Sequence, residues 1–182
     1  MNPESTVAYS ATARILHWGV AILVVGAFLL GISMDGLPRG AVRDLGREAH
    51  YSLGVLVLGL GALRVLWRTV RPPPGPLPSA APWQHRLAHL AHLALLGTTL
   101  AVPLAGLLDR WARGRPVQVF GGIPLPAPFP VPGGRAWGEM HEILAWTLAA
   151  LVVAHLLAIA WHELVLRDGI LRRMLPPRSR AA

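Results

Sequence analysis

The chain has 182 residues, 53% of them hydrophobic and 14% charged, with a formal net charge of +8 and no cysteine. A soluble domain carries about 25% charged residues, so the composition reads as one integral-membrane domain over 1–182. The missing cysteines exclude disulfides, Cys-ligated zinc, iron–sulfur clusters and thioether-attached haem, and leave histidine as the metal ligand. All 17 basic residues are Arg. They lie between apolar runs and not in one patch, which points to membrane orientation and away from nucleic acid.

In chain order, residues 1–12 read as a polar lead. The first predicted span covers about 13–33, ARILHWGVAILVVGAFLLGIS, with Arg14 at its entrance and His17 one turn inside. The length of the run, and His17 and Trp18 within it, speak against a cleavable signal peptide. Met34 to Glu48 reads as a polar loop with Gly and Pro breakers. The second span, about 49–67, opens with His50 and ends among Arg64, Arg68 and Arg71. RPPPGPLPSAAP, Arg71 to Pro82, reads as a stiff extended linker.

The third span, about 83–108, carries His85, His89 and His92 near its start, and Pro103 near its end predicts a kink. Residues 109–136 are rich in Pro and Gly and read as a long loop without regular structure, which favours a binding role or a cap over a site. The fourth span covers about 137–166. A basic tail follows, with Arg167, Arg172, Arg173, Arg178 and Arg180. The tryptophans fall mainly near span ends, as an interfacial belt requires. The fold class is all-α, a transmembrane four-helix bundle. Four spans put both termini on one side. That side holds ten arginines against seven opposite, so the termini are expected in the cytoplasm.

Histidine inside a span is costly and usually faces the bundle interior. His141 and His155 are fourteen residues apart, about 21 Å along a helix and on nearly one face. With the termini inside, His50 and His141 share an outer depth, and His17 and His155 an inner one. Each pair comes from two helices, as a flat macrocycle held between axial imidazoles requires. Two bis-histidine haems b satisfy that pattern; interior polar groups with ordinary partners are the plainer reading. Gly54 and Gly61 follow His50 on nearly its own face. They let a porphyrin lie close to the backbone, or let two helices approach. His89 and His162 gather at the inner ends of their spans. There they edge a pocket in which a quinone takes a proton, or else lie in the interface. HRLAHLAH puts His85, His89 and His92 on one face, which keeps a zinc site among the alternatives.

RILHWGVAILV, AHYSLGVLVLGLGALRVLWR, LAHLAHLALLG, FGGIPLP and the long closing stretch from WGEMHEILAW to RDGILRRMLP resemble the bacterial cytochrome b561 family, the short four-helix di-haem membrane cytochromes. The resemblance covers nearly the whole chain. It implies two haems b in an inner-membrane bundle, the inner one held by His17 and His155 and the outer by His50 and His141. Arg14 and Arg64 are the expected propionate partners. It also implies electron transfer with ubiquinone or another quinone, and for some members oxidation of superoxide at the outer side. Arg110, Arg113, Arg115 and Arg135 would attract such an anion. The alternative is a haem-bearing anchor subunit for a hydrogenase- or dehydrogenase-type complex; a His-rich metal carrier is a third reading. The sequence leaves open a homo-oligomer or a respiratory partner subunit.

Overall fold

The computed structural model describes residues 8–75 and 81–176. Residues 1–7, the middle of the Pro-rich linker, and Arg178 and Arg180 of the tail lie outside the described residues. Four long helices follow one another: α1 (Ala11–Ser33), α2 (Ala41–Val70), α3 (Pro82–Ala112) and α4 (Ala136–Trp161). All four are long and apolar enough to cross a bilayer, with mean hydropathies of 2.4, 1.6, 1.7 and 2.4. Helices of this length measure about 35–45 Å, more than the roughly 30 Å hydrocarbon core, so their ends stand in the interfaces.

Local chemistry sets the helix starts. The Ser10 side chain accepts a hydrogen bond from the Ala13 N–H at 3.3 Å and caps α1. Pro82 stands at the first turn of α3, where its missing N–H costs nothing, and the Gln84 side chain accepts from the Ala81 N–H at 2.7 Å. The sequence pattern places the start of the second span near 49, but α2 begins at Ala41. Gly40 makes this early start possible with φ at 92°, a backbone state other residues avoid. Arg43 braces the turn by donating to the Leu37 and Asp35 carbonyls at 2.5–3.0 Å. The first two turns of α2 therefore rise above the apolar span as a polar helix.

α1 packs on α2, α2 on α3 and α3 on α4. A Cβ on Gly61 would stand 2.8 Å from Leu100 Cδ2, and one on Gly54 would stand 3.9 Å from Pro103. Gly61 therefore serves the close approach of α2 to α3, whereas a Cβ at Gly54 would make only ordinary contact. Outward faces are apolar: Ile15, Ile22, Leu157 and Leu164 are each at least 65% exposed. In lipid such faces cost nothing, because acyl chains are as apolar as leucine.

The 109–136 segment is not structureless. α3 runs on to Ala112, and β1 (Val117–Val119) pairs antiparallel with β2 (Ile123–Leu125). The turn Phe120–Gly121–Gly122 has positive φ throughout, 49°, 85° and 98°. Two side chains of α2 hold it: Ser52 Oγ accepts from the Phe120 N–H at 2.9 Å, and Glu48 accepts from the N–H groups of Gly121 and Gly122. Val117 and Val119 bury themselves against Leu107, with Tyr51, Val55 and Trp111 around them. The alternation in VQV and IPL was a strand signal, which the surrounding prolines masked.

At the opposite end the described chain termini meet. The Tyr9 N–H donates to the Arg173 carbonyl at 3.0 Å. The Arg173 side chain, 8% exposed, donates to the Gly75 carbonyl at 2.7 Å and lies over the Tyr9 ring at 5.8 Å. Trp18 and Trp67 seal the same end by donating to the Met174 carbonyl and to Ser10 Oγ. Arg173 thus ties the N-terminal lead, the α2–α3 linker and the tail together. Arg173→Ala is expected to destabilise the protein by about 1.5–3 kcal/mol, the worth of a charge-assisted hydrogen bond in a sheltered place. A thermal melt in detergent reads this as a lowered Tm; an unchanged Tm means that Arg173 does not join these segments.

Candidate functional site

Histidines stand at two levels of the bundle, half-buried except for the exposed His92. The tier nearer the hairpin is His50 of α2 and His141 of α4, with ring centroids 6.1 Å apart and planes at 84°. His50 Nδ1 lies 2.9 Å from the Ala27 carbonyl of α1, and His141 Nδ1 lies 2.8 Å from the Val102 carbonyl of α3. A carbonyl only accepts, so each Nδ1 carries the proton and donates it. Each Nε2 is then left as a lone pair, the form in which imidazole binds a metal. A metal–nitrogen bond of about 2.0 Å plus a ring radius of about 1.1 Å, taken twice, separates two rings on one metal by about 6.2 Å. The observed spacing fits an axial pair.

Two glycines that sequence reasoning passed over make this tier possible. A Cβ on Gly31 would stand 3.2 Å from His50 Cε1, and one on Gly106 would stand 3.0 Å from His141 Nδ1. Each faces an imidazole across a helix contact. The sequence signal was their spacing: Gly31 follows His17, and Gly106 follows His92, by fourteen residues, the same step that separates His141 from His155.

The second tier lies toward the chain termini. His155 of α4 meets His92 of α3 edge-on, with centroids 5.6 Å apart. His17 of α1 lies within electrostatic range of Arg64, His155 and His92. Its Nδ1 is buried with no hydrogen-bond partner in the protein, and a polar atom so placed ordinarily has one. Arg64, also in range of His155, follows His50 by fourteen residues on α2, as His155 follows His141 on α4. Both helices therefore present polar groups at two levels about 21 Å apart.

Other expected site residues are less gathered. Arg14 is half-buried in the first turn of α1. His89 is exposed on α3, and His85 is half-buried near the start of that helix. His162 pairs with Asp168 at 2.5 Å; no contact joins it to His89 among the described residues. His92 was not singled out in the sequence as a member of the inner tier, although HRLAHLAH held the signal. Among the described residues no three His, Cys, Asp or Glu side chains converge as a zinc site requires. Pairs of histidines suffice for haem, since the macrocycle supplies the remaining four ligands.

Outside the outer tier, a cavity of about 510 Å³ lies between the start of α2 and the hairpin, lined by Arg47, Glu48, Tyr51, Arg110, Arg115 and Gln118 among others. The Tyr51 ring meets the His50 ring edge-on at 6.2 Å, and the Arg110 guanidinium lies 5.3 Å from the Tyr51 ring centre. Arg110 Nε is buried and unpartnered. Arg113, by contrast, is tied to Asp109 at 2.6 and 2.9 Å.

Imidazoles paired between spanning helices, where a soluble bundle would place leucine, are a donor set suited to a flat iron-bearing ring. The protein is a membrane cytochrome of the b type, an electron-transfer protein. The model of the prokaryotic cytochrome b561 family matches residues 8–177, and the chain belongs to that family. It is 37% identical to cytochrome b561 homolog 2 of Escherichia coli (strain K12) over 179 residues, 94% of this chain and 93% of the relative. Cytochrome b561 homolog 1 of the same organism is 30% identical over 176 residues, 94% and 98% of the two chains. The Yersinia pestis protein named "Probable superoxide oxidase CybB" is 29% identical over 174 residues, 93% and 97%.

Haem b is the cofactor the family implies, and the outer tier fits it by ring spacing, by fixed tautomer and by the clearance at Gly31 and Gly106. Gly106→Val is expected to push the His141 ring off the Val102 carbonyl and lower haem content, read as pyridine haemochrome per chain, with helix content by circular dichroism unchanged. Full haem content in that variant would show that the glycine clearance is not needed.

Proposed function

We propose that this protein holds two haems b, each between two histidines, and carries electrons between an anionic donor on the outer face and the quinone pool. The observation that carries the reading is the His50–His141 pair: two rings 6.1 Å apart, each with its Nδ1 proton committed to a neighbouring helix. In the inner tier His17 and His155 are the proposed ligands, His17 being the ring with an unmet buried nitrogen. His92 then stands beside His155 as a neighbour. Arg64 is the proposed partner of the inner propionates; Arg14, one turn before His17, is the second.

Haem b, when bound, supplies the one-electron chemistry. The chain's part is to hold and space the two sites and to keep water from them. At the outer face Arg110 and Arg115 line a cavity whose wall is Tyr51, itself against His50. That cavity suits a small anion, and superoxide fits by charge and size. The name of the Yersinia relative supports the same donor. Two superoxide anions give up one electron each and leave as dioxygen. One quinone takes both electrons with two protons and becomes quinol. The quinone is proposed to bind at the terminal side, where His162 and His89 lie. The protein sits in the bacterial inner membrane with both termini cytoplasmic, by the arginine bias.

Haem analysis of single variants tests the ligand set. His50→Ala and His141→Ala are each expected to lose one haem of two and retain the other, and His17→Ala likewise. His92→Ala is expected to keep both. Loss of a haem in His92→Ala, with none lost in His17→Ala, would reassign the inner pair.

Stopped-flow mixing of oxidised protein with superoxide tests the donor. We expect haem reduction at a rate that falls with ionic strength, and Arg115→Glu is expected to slow it by about 3–10-fold at low salt. No haem reduction by superoxide removes that donor.

A further inference from the structure

α4 does not end in an ordinary cap. After Trp161 the backbone widens into a π turn, His162–Leu166, and Arg167 then adopts a left-handed conformation with φ 53°. A non-glycine residue held there costs about 1 kcal/mol or more, and survives only where surrounding contacts over-determine it. The contacts are present. The reversal returns Asp168 to the last turn of the helix, where its Oδ2 lies 2.5 Å from His162 Nδ1. Asp168 Oδ1 accepts from the Ile170 N–H at 3.2 Å, and Glu163 accepts from the Leu171 N–H at 2.8 Å. Both partners are sheltered, with His162 26% and Asp168 15% exposed.

His162 follows His155 by seven residues, which places it about 10 Å farther along and on nearly the same face of the helix. A carboxylate on Nδ1 fixes which ring nitrogen faces outward. Nε2 then faces outward as a lone pair, which takes a proton from water and passes it on. No electron-transfer role needs such a pair, because the ring is about two helix turns from His155, too far to ligate the same iron. A proton-transfer role does need it.

We propose that Asp168 is a positioning residue that holds the Nδ1–H of His162 and so aims Nε2 outward, where Nε2, once it has taken a proton from cytoplasmic water, donates it to the carbonyl oxygen of a bound quinone as that quinone is reduced. This rests on the quinone reading of His162 given above. The proton passes from Nε2 to the quinone oxygen, the electrons arrive through the electron-transfer path, and His162 regains a proton from cytoplasmic water. Asp168 keeps its charge throughout, and no proton leaves the dyad by way of the carboxylate.

The experiment uses the purified haem-loaded protein and a soluble ubiquinone analogue, following quinone-driven oxidation of the reduced haems. Asp168→Asn presents an amide to Nδ1 and favours the other tautomer. It is expected to lower the limiting rate by about tenfold or more, to leave the half-saturating quinone concentration within about twofold, and to raise the solvent deuterium isotope effect. Haem content, spectrum and Tm are expected to stay as in the parent. Asp168→Glu is expected to recover most of the rate. Glu163→Gln, which touches only the same reversal, is expected to leave the rate unchanged. Should the Asn variant fail to accumulate, Asp168→Ser gives the same readout while still accepting from Ile170.

The outcomes separate. If His162→Gln exchanges electrons with the quinone as the parent does, the quinone reading of His162 fails and the dyad with it. If His162→Gln is slow and Asp168→Asn is not, the quinone reading stands and the proposal for Asp168 is overturned. A slow Asp168→Asn with lost haem, unrescued by Glu and matched by Glu163→Gln, makes the residue a loop support and also overturns it.

Discussion

Two hydrogen bonds from imidazole to backbone organise the interior. His50 gives its Nδ1 proton to Ala27 and His141 gives its own to Val102. In a helix those carbonyls already accept from the residue four positions on, so the imidazole takes a second lone pair of each. The bonds do three things at once. They satisfy a polar group that lipid cannot, they fix the tautomer, and they tie α2 to α1 and α4 to α3. An imidazole left to rotate would present either nitrogen and would face iron only part of the time.

The cost of this arrangement is room. Helices close enough for a ring nitrogen to reach the neighbouring backbone leave no space for a side chain opposite the ring, hence Gly31 and Gly106. Elsewhere the same residue type does a different task. Gly54 and Gly61 sit where α2 meets α3, and at Gly61 the missing side chain lets those helices approach. The two uses look alike in a sequence, since both place glycine on an inward face. They differ in what lies across the gap, an imidazole in one case and Leu100 or Pro103 in the other.

The two ends of the bundle are finished differently, which suits a protein that works across a membrane. At the hairpin end Glu48 and Ser52, flanking His50, hold a turn whose φ values are all positive. His50 and the residues that hold the hairpin therefore share one rigid helix. At the other end Arg173 gathers three segments, and the chain reverses beyond α4 to set Asp168 against His162. Polar side chains that lipid would penalise are used at both ends to anchor backbone groups outside the hydrocarbon core.

Much was legible beforehand. Four apolar runs of spanning length dictate four helices, because a backbone in lipid satisfies its hydrogen bonds only within itself. The fourteen-residue step from His141 to His155 dictates two levels, because helical rise and twist are constant. The start of α2 was hidden because Gly40 and Arg43 act through the turn they brace, and no periodicity records that. The hairpin was hidden because its strands are three residues long and set among prolines. What only the tertiary structure decided was partnership across helices: that the His50 and His141 rings meet at 6.1 Å, that His92 lies beside His155, and that Asp168 folds back on His162. Spacing along a chain determines depth and face. Which groups meet at a given depth depends on helix order, tilt and clearance, and those emerge only when the helices pack.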